Sequence, residues 1–348
     1  MLFDSFTLKG NVIKNRIVMS PMVTYSLVRS DGFIDDKHIS YYEKRAKNEV
    51  GMIIVEASGV DGNQKAWNQI GIWDDKFIPG LKKLAGAIND NGAFSVIQLH
   101  NAGIKAKMEE CPYGPSPLEG YGREMSKDDI KKSVNDFVNA AVRAKEAGFK
   151  AVELHGAHGY LLCEFTLKKY NNRTDEYGFE NLEDRYRFPI EVTKAVREAV
   201  GEDYPIYYRM GVNMEDIDDV IKGANMLVNA GVDVLNISSA FDASTSLEDK
   251  EHEFNSVTLS AKIIKENVDI PVICVNRIST PKRAEKLLKE GYADFTAIGR
   301  ELLSDYQWAY KAKNDIPINY CYHCKPKCRL NGGDNKCPNL IKTGDTLY

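Results

Sequence analysis

The stretch Lys150-Ala-Val-Glu-Leu-His155-Gly-Ala-His158-Gly-Tyr160-Leu-Leu places two imidazoles and a phenol close together. Imidazoles can hydrogen-bond an oxygen on which negative charge develops, and a phenol can deliver a proton. The short apolar alternation of Ala151, Val152 and Leu154 precedes them, so the group sits at the C-terminal mouth of a buried strand. Satisfied core histidines and a core tyrosine would look the same one at a time. Their clustering behind a strand is what favours chemistry. A His-x-x-His pair can also bind zinc, but no third ligand with convincing spacing lies beside it.

A second group is Cys321-Tyr-His-Cys324-Lys-Pro-Lys-Cys328 followed by Cys337, a C-x2-C-x3-C-x8-C pattern. Four thiols at this density point to a metal at Cys321, Cys324, Cys328 and Cys337. His323 could replace one thiol in a zinc site, while Lys325, Lys327 and Arg329 could offset the charge of a thiolate-bound cluster. Cys111, Cys163 and Cys274 are isolated and read as buried or incidental.

The elements that must position these groups alternate along the chain. Residues 2–14 turn around Lys9-Gly10-Asn11 and read as a small hairpin. Strands are expected at Arg16–Ser20, Met52–Ala57, Phe94–Leu99, Ala151–His155, Ile206–Met210, Val234–Ile237, Val272–Val275 and Phe295–Ile298. Helical patterns lie near 37–48, 77–91, 128–147, 183–200, 215–230, 256–268 and 281–290, with another after 301. Gly51, Gly92, Gly148, Gly231 and Gly291 fit helix C-caps, and Ser126-Lys-Asp-Asp fits an N-cap with an acidic first turn. Eight such repeats predict an α/β fold, a closed (β/α)8 TIM barrel, with an N-terminal hairpin and a short cysteine-rich tail. An open doubly wound sheet finds no support in a G-x-G-x-x-G after the first strand. The expected division is a barrel over 1–315 and a tail over 316–348. In such a barrel the chemistry gathers at the strands' C-terminal ends. Here those ends carry Ser20-Pro-Met-Val, Ala57-Ser, Gln98-Leu-His-Asn, His155, Arg209, Asn236, Asn276-Arg277 and Gly299-Arg300.

Length and composition agree. The chain has 348 residues, 43% hydrophobic and 28% charged, which is ample for a large core. A net charge of −4 argues against nucleic acid as the main partner. No apolar run approaches a membrane span, and the opening Met1-Leu-Phe-Asp-Ser-Phe has no secretory pattern. The seven cysteines then suggest a reducing, cytoplasmic setting.

The block from Val152 through Tyr160-Leu-Leu to Asn172-Arg-Thr-Asp-Glu-Tyr-Gly178 and Glu183-Asp-Arg-Tyr-Arg-Phe188 resembles the old yellow enzyme family of FMN-dependent ene-reductases. So does Ala297-Ile-Gly-Arg-Glu-Leu-Leu303, and the resemblance covers about residues 1–315. It implies FMN at the barrel mouth, against Ser20, Pro21, Met22 and Ala57, with Gln98 on the pyrimidine edge. Arg209 would favour the anionic reduced flavin, and Asn276, Arg277, Gly299 and Arg300 would surround the phosphate. His155 and His158 would polarise the carbonyl of an α,β-unsaturated substrate, Tyr160 would protonate the α-carbon, and Tyr25 would touch the substrate. NADH or NADPH would reduce the flavin at the same face. Three positions depart from the family pattern: Val23 stands where Thr or Cys is frequent, His100-Asn101 moves an imidazole by one position, and Asn276 replaces a frequent glycine.

The cysteine tail is similar to the [4Fe–4S] segment of the 2,4-dienoyl-CoA reductase and enoate reductase branch, with a shorter last spacing. Zinc or an unmetallated remnant are the other readings. In that branch an FAD- and NAD-binding region follows, and the sequence reaches Tyr348 without one. The expectation is a stand-alone ene-reductase acting on a small enone. The alternative is an electron-transfer subunit whose FMN is reduced through the cluster by a donor protein. Association with further copies of the chain is expected in either case. A third reading, an FMN barrel acting on RNA, is opposed by the acidic balance and the paired histidines.

Overall fold

The computed structural model describes residues 1–24, 27–214, 217–241, 254–325, 328–332 and 336–348. The chain opens with an antiparallel pair, β1 (Phe6–Leu8) and β2 (Asn11–Ile13), joined by Lys9 (φ 44°) and Gly10 (φ 75°). Two successive positive φ values give the tight turn expected there. Then come β3 (Ile17–Met19), α1 (Asp36–Lys47), β4 (Met52–Gly59), α2 (Ile78–Asn89) and β5 (Phe94–His100). A two-stranded pair, β6 (Tyr113–Gly114) and β7 (Arg123–Glu124), leads into α3 (Lys127–Glu146) and β8 (Ala151–Gly156). The short α4 (Leu161–Glu164) precedes α5 (Leu182–Val200), β9 (Ile206–Val212), α6 (Ile217–Asn229) and β10 (Val234–Ser239). The barrel ends with α7 (Ser256–Lys265), β11 (Val272–Cys274), α8 (Pro281–Lys289), β12 (Phe295–Ile298), α9 (Arg300–Ser304) and α10 (Trp308–Lys313). In the tail, α11 covers Pro338–Thr343.

Eight parallel strands close into a barrel in the order β3-β4-β5-β8-β9-β10-β11-β12, with β12 pairing back onto β3. All eight fall where apolar runs placed them, with no end shifted by more than two residues; Ser20 lies just beyond β3 rather than in it. Pleating then decides which side chains face the axis. Met52 and Ile54 of β4 join an inner cluster with Val18, Phe94, Val96, Ala151, Tyr207 and Val234. Ile53, Val55, Ile97, Val152, Leu154, Tyr208 and Leu235 pack instead in the larger core that includes the helices. The inner cluster also takes Leu8 and Ile13, so the hairpin plugs the barrel's N-terminal end.

Gly92, Gly148, Gly231 and Gly291 take positive φ as expected of C-caps. Gly51 does not. The left-handed residue after α1 is Glu49 (φ 69°), and Gly51 is required by space, since a Cβ there would lie 2.6 Å from the Asn15 carbonyl oxygen. Ser126 and Asp129 form a reciprocal capping box at the start of α3. The tail is fastened to the barrel: the buried Arg45 donates to the carbonyls of Leu302 and Leu347, and Leu340 and Leu347 join the main core. Among the three isolated cysteines, Cys163 and Cys274 are buried and Cys111 is exposed.

Candidate active site

The same parity that sends Ala151 inward sends Glu153 and His155 inward, and with them Gln98, Arg209, Asn236 and Ser238 on neighbouring strands. Strand register sets them side by side: Gln98 beside Glu153, His155 beside Arg209, and Arg209 beside Asn236. Above the apolar inner cluster the barrel axis is therefore polar. A cavity of about 520 Å³ opens there, at the strands' C-terminal ends.

Ser20, Pro21, Met22, Ala57, Gln98, His155, His158, Tyr160, Arg209, Asn276, Arg277, Gly299 and Arg300 all line this cavity, as does Val23. Tyr25 lies outside the described residues. Asn276 (φ 92°) and Arg277 (φ 53°) are both left-handed. That conformation explains why glycine suits position 276, and asparagine tolerates it better than most residues. The helix following Gly299 has five residues, so little dipole develops and the Arg277 and Arg300 side chains are the main positive charges at that end.

Glu153 is fully buried and receives Gln98 Nε2 at 2.7 Å and Asn236 Nδ2 at 2.7 Å. Burial pushes its carboxyl up, and the Arg209 guanidinium pulls it back down. Because Gln98 spends its amide nitrogen on Glu153, its oxygen is left to accept from whatever occupies the cavity. Arg209 Nη2 donates to Ser238 Oγ at 3.3 Å, and that oxygen lies 2.8 Å from His158 Nε2. His158 adopts a left-handed backbone (φ 61°), a conformation a histidine holds only where its surroundings fix it. Burial, with Arg209 and Lys105 nearby, holds His155 and His158 well below the ordinary imidazole range. Both are neutral donors at pH 7 rather than imidazolium ions.

Several lining residues escaped the sequence reading. Lys105 donates to the His158 carbonyl at 2.8 Å, and its ammonium lies 5.1 Å from the centre of the Tyr160 ring. Trp67 meets Tyr160 edge-on at 5.8 Å. Glu164, the buried last residue of α4, accepts the Ile104 N–H at 3.0 Å and so holds the turn that carries Lys105. In β4, the buried Glu56 accepts from Thr24 Oγ1 at 2.6 Å and pairs with His38 at 2.8 Å, which anchors the Ser20–Thr24 segment. No local periodicity marks Trp67 or Lys105, although Glu153 follows the inward parity of His155.

His100 is buried beneath the site, 5.4 Å from His155 and 4.5 Å from Tyr160 between ring centres. Gln69 Nε2 gives its hydrogens to the Ala57 carbonyl and to His100 Nδ1, so the neutral ring carries its proton on Nε2. Burial pulls this imidazole down to about 3. The unfolded chain therefore takes up a proton below about pH 6.5 that the folded chain refuses until about pH 3, and stability is lost across that window. At pH 5 the loss is about 2 kcal/mol relative to pH 7. The raised carboxyls of Glu153 and Glu164 act in the opposite direction. A difference measurement isolates the imidazole: in His100→Gln, the urea-derived drop in stability from pH 7 to pH 5 should be about 2 kcal/mol smaller than in the parent. Equal drops would remove His100 as the group responsible.

The four tail cysteines share one small pocket with Arg300, Ser304 and Asn339. Arg300 also lines the large cavity, so the two sites have a common wall.

A family model described as the NADH:flavin oxidoreductase / NADH oxidase family matches residues 1–319. The chain is 39% identical to an NADH oxidase of Thermoanaerobacter brockii over 94% of its own length, but spans only 53% of that protein. It is 38% identical to the NADPH dehydrogenase of Bacillus licheniformis, covering 92% of this chain and 97% of the relative. A 2-naphthoyl-CoA reductase bound to 2-naphthoyl-CoA superposes with a TM-score of 0.85 at 26% identity, over 99% of this chain and 56% of that one. Morphinone reductase superposes with a TM-score of 0.82 at 24% identity, over 95% and 92% of the two chains, a likeness of fold.

Proposed function

The chain belongs to the NADH:flavin oxidoreductase / NADH oxidase family, and from that premise we propose that it is an FMN-dependent, NAD(P)H-driven reductase of activated C=C bonds. The observation that carries this reading is a set of buried polar atoms on the cavity wall that have no hydrogen-bond partner among the described residues. They are Arg209 Nε and Nη1, His155 Nδ1 and Ser20 Oγ. Buried donors are rarely left unpaired, so a ligand with polar edges belongs among them. An isoalloxazine ring, with acceptors and donors along its pyrimidine edge, fits this set. Ser20, Pro21, Met22, Ala57, Gln98 and Arg209 would hold the ring, and Asn276, Arg277, Gly299 and Arg300 the phosphate end.

When bound, FMN supplies hydride transfer, from NAD(P)H to the flavin and from the flavin to the substrate's β-carbon. The protein's own groups do the rest. Neutral His155 and His158 donate to the substrate carbonyl oxygen, where charge develops. Ser238, engaged by Arg209, fixes the orientation of the His158 ring. Tyr160 gives its phenolic proton to the α-carbon, and the Lys105 ammonium near its ring stabilises the charge left on the phenol oxygen. Trp67 and Lys105 border the substrate side of the cavity and help to exclude water.

Anaerobic purification with a visible spectrum and flavin, iron and zinc analysis tests the reading. One FMN per chain, and consumption of a cyclic enone with NADH or NADPH, are expected. Colourless protein that takes up no FMN would overturn the proposal.

The second reading, reduction of the flavin by a partner through the tail, is favoured by the convergence of Cys321, Cys324, Cys328 and Cys337 on one pocket beside Arg300. Four thiols are a donor set for a [4Fe–4S] cluster, which would supply one-electron transfer, or for structural zinc. Rapid flavin bleaching by NADH or NADPH alone in anaerobic stopped-flow would remove the need for a donor protein. The division into a barrel over 1–315 and a tail over 316–348 belongs to the same proposal, as does association with further copies of the chain. Among the described residues no helix is long and apolar enough to cross a membrane.

A further inference from the structure

We infer that His100 is a positioning residue for the proton donor: wedged behind the cavity wall, it fixes where the Tyr160 phenol stands relative to His155. This inference rests on reading Tyr160 as the acid of alkene reduction.

Trp67, His155, His158 and Tyr160 present their rings to the substrate side of the cavity. His100 stands behind them, fully buried at the end of β5, and touches three of the four. It meets Tyr160 edge-on at 4.5 Å, Trp67 at 5.3 Å and His155, stacked, at 5.4 Å between ring centres. Tyr160 lies farther from Trp67 (5.8 Å) and from His155 (5.5 Å), so His100 is its closest ring neighbour.

The imidazole is itself held in orientation. Gln69 Nε2 donates to His100 Nδ1 at 3.1 Å and to the Ala57 carbonyl at 3.0 Å, which ties the last residue of β5 to the β4 wall of the same cavity. The chain beyond Tyr160 is tied to the same strand end, since the Leu161 N–H donates to the Asn101 carbonyl at 3.2 Å. Ala102 and Ala106 pack with Trp67 and Tyr160 and leave the phenol ring little slack. Packing alone does not account for a histidine at this place. Its Nε2 has no hydrogen-bond partner among the described residues, and a buried N–H left unpaired costs stability that an apolar ring would not. What the imidazole adds is a rotation fixed by the Gln69 hydrogen bond, and a fixed ring gives Tyr160 one seat instead of several.

The test follows saturated ketone formed from a cyclic enone in a single turnover of pre-reduced holoenzyme, in His100→Ala, Tyr160→Phe and the double variant. His100→Ala is expected to slow this step about 10–100-fold, since a misplacement of about 1 Å costs up to about 10². Flavin reduction by NAD(P)H and FMN per chain should stay within about twofold of the parent, because neither uses the phenol. In the Tyr160→Phe background the same substitution should cost no more than about threefold, as both changes act on one proton transfer and their effects do not add. A merely structural loss would carry over in full. Gln69→Leu keeps the imidazole but frees its rotation, and should show the same selective loss at about three- to tenfold. It carries the test if His100→Ala does not fold. Apart from activity, a crystal structure of either variant should show the Tyr160 ring displaced, by about 1 Å in His100→Ala. Equal losses in both half-reactions, a full additional loss in the Tyr160→Phe background, or an unmoved Tyr160 would overturn the inference. Tyr160→Phe protein as fast as the parent would sink the reading of Tyr160 as the acid, and this inference with it.

Discussion

Replacing His155 or His158 with alanine is expected to lower kcat/KM for a cyclic enone by about 10²–10³, the cost of removing one donor from an oxyanion site. The same variants should reduce their flavin with NAD(P)H at rates within about tenfold of the parent, because hydride donation to the flavin needs no carbonyl polarised by these rings. Stopped-flow separates the two half-reactions. The double variant should lose little more than the worse single variant, since two donors on one oxygen act as a unit. Burial, together with Arg209 and Lys105, keeps both rings neutral. They therefore donate as uncharged N–H groups, and the oxidative half-reaction should show no loss as pH rises from 6.5 to 8 through their deprotonation. Alkene reduction that survives the double substitution at the parental rate would eliminate these residues as the carbonyl's partners.

The barrel was legible because each strand is a short run of apolar residues bounded by a helix with polar faces, and because polar side chains appear where those runs end. Parity carries the reading further than it was taken. If His155 faces the axis, Glu153 must as well, and a carboxylate one layer below the histidines could have been placed from the sequence. What sequence could not supply is the rim. Trp67 stands in a segment with no strong period, between β4 and α2, and reaches Tyr160 only because the 60–73 loop folds back over the mouth. Lys105 depends on a turn held through Ile104 by Glu164, 60 positions from Ile104, a pairing that no local pattern announces. Gly51 shows the same limit in reverse. It sits where a cap is expected, but its reason is the Asn15 backbone across the barrel's edge. His323 reads as a possible metal ligand beside its cysteines and only becomes a cavity residue once the tail is laid against α9.

Arg209 is the group whose loss should change the flavin most. It is buried in the cavity wall, with Glu153 as its balancing charge and one hydrogen bond to Ser238, and its Nε and Nη1 have no hydrogen-bond partner among the described residues. A buried guanidinium with two donors unspent is poised to stabilise charge that builds up on a bound ring. In Arg209→Met the anionic reduced form would lose a charged hydrogen bond worth about 1.5–3 kcal/mol. For a two-electron couple this moves the midpoint potential about 30–65 mV more negative. Reduction by NAD(P)H should slow by about 10–100-fold, as one charge-stabilising interaction is removed. Arg209→Lys, which keeps the charge but not the planar fork, should fall between the two. The removal also leaves Glu153 without its cation, so its carboxyl should be pushed higher still, toward the neutral form that spares the core an unpaired buried charge. Spectroelectrochemical titration of the three proteins decides the matter. A potential in Arg209→Met within about 10 mV of the parent, well under the shift expected from one charged hydrogen bond, would show that this guanidinium serves the fold and not the flavin.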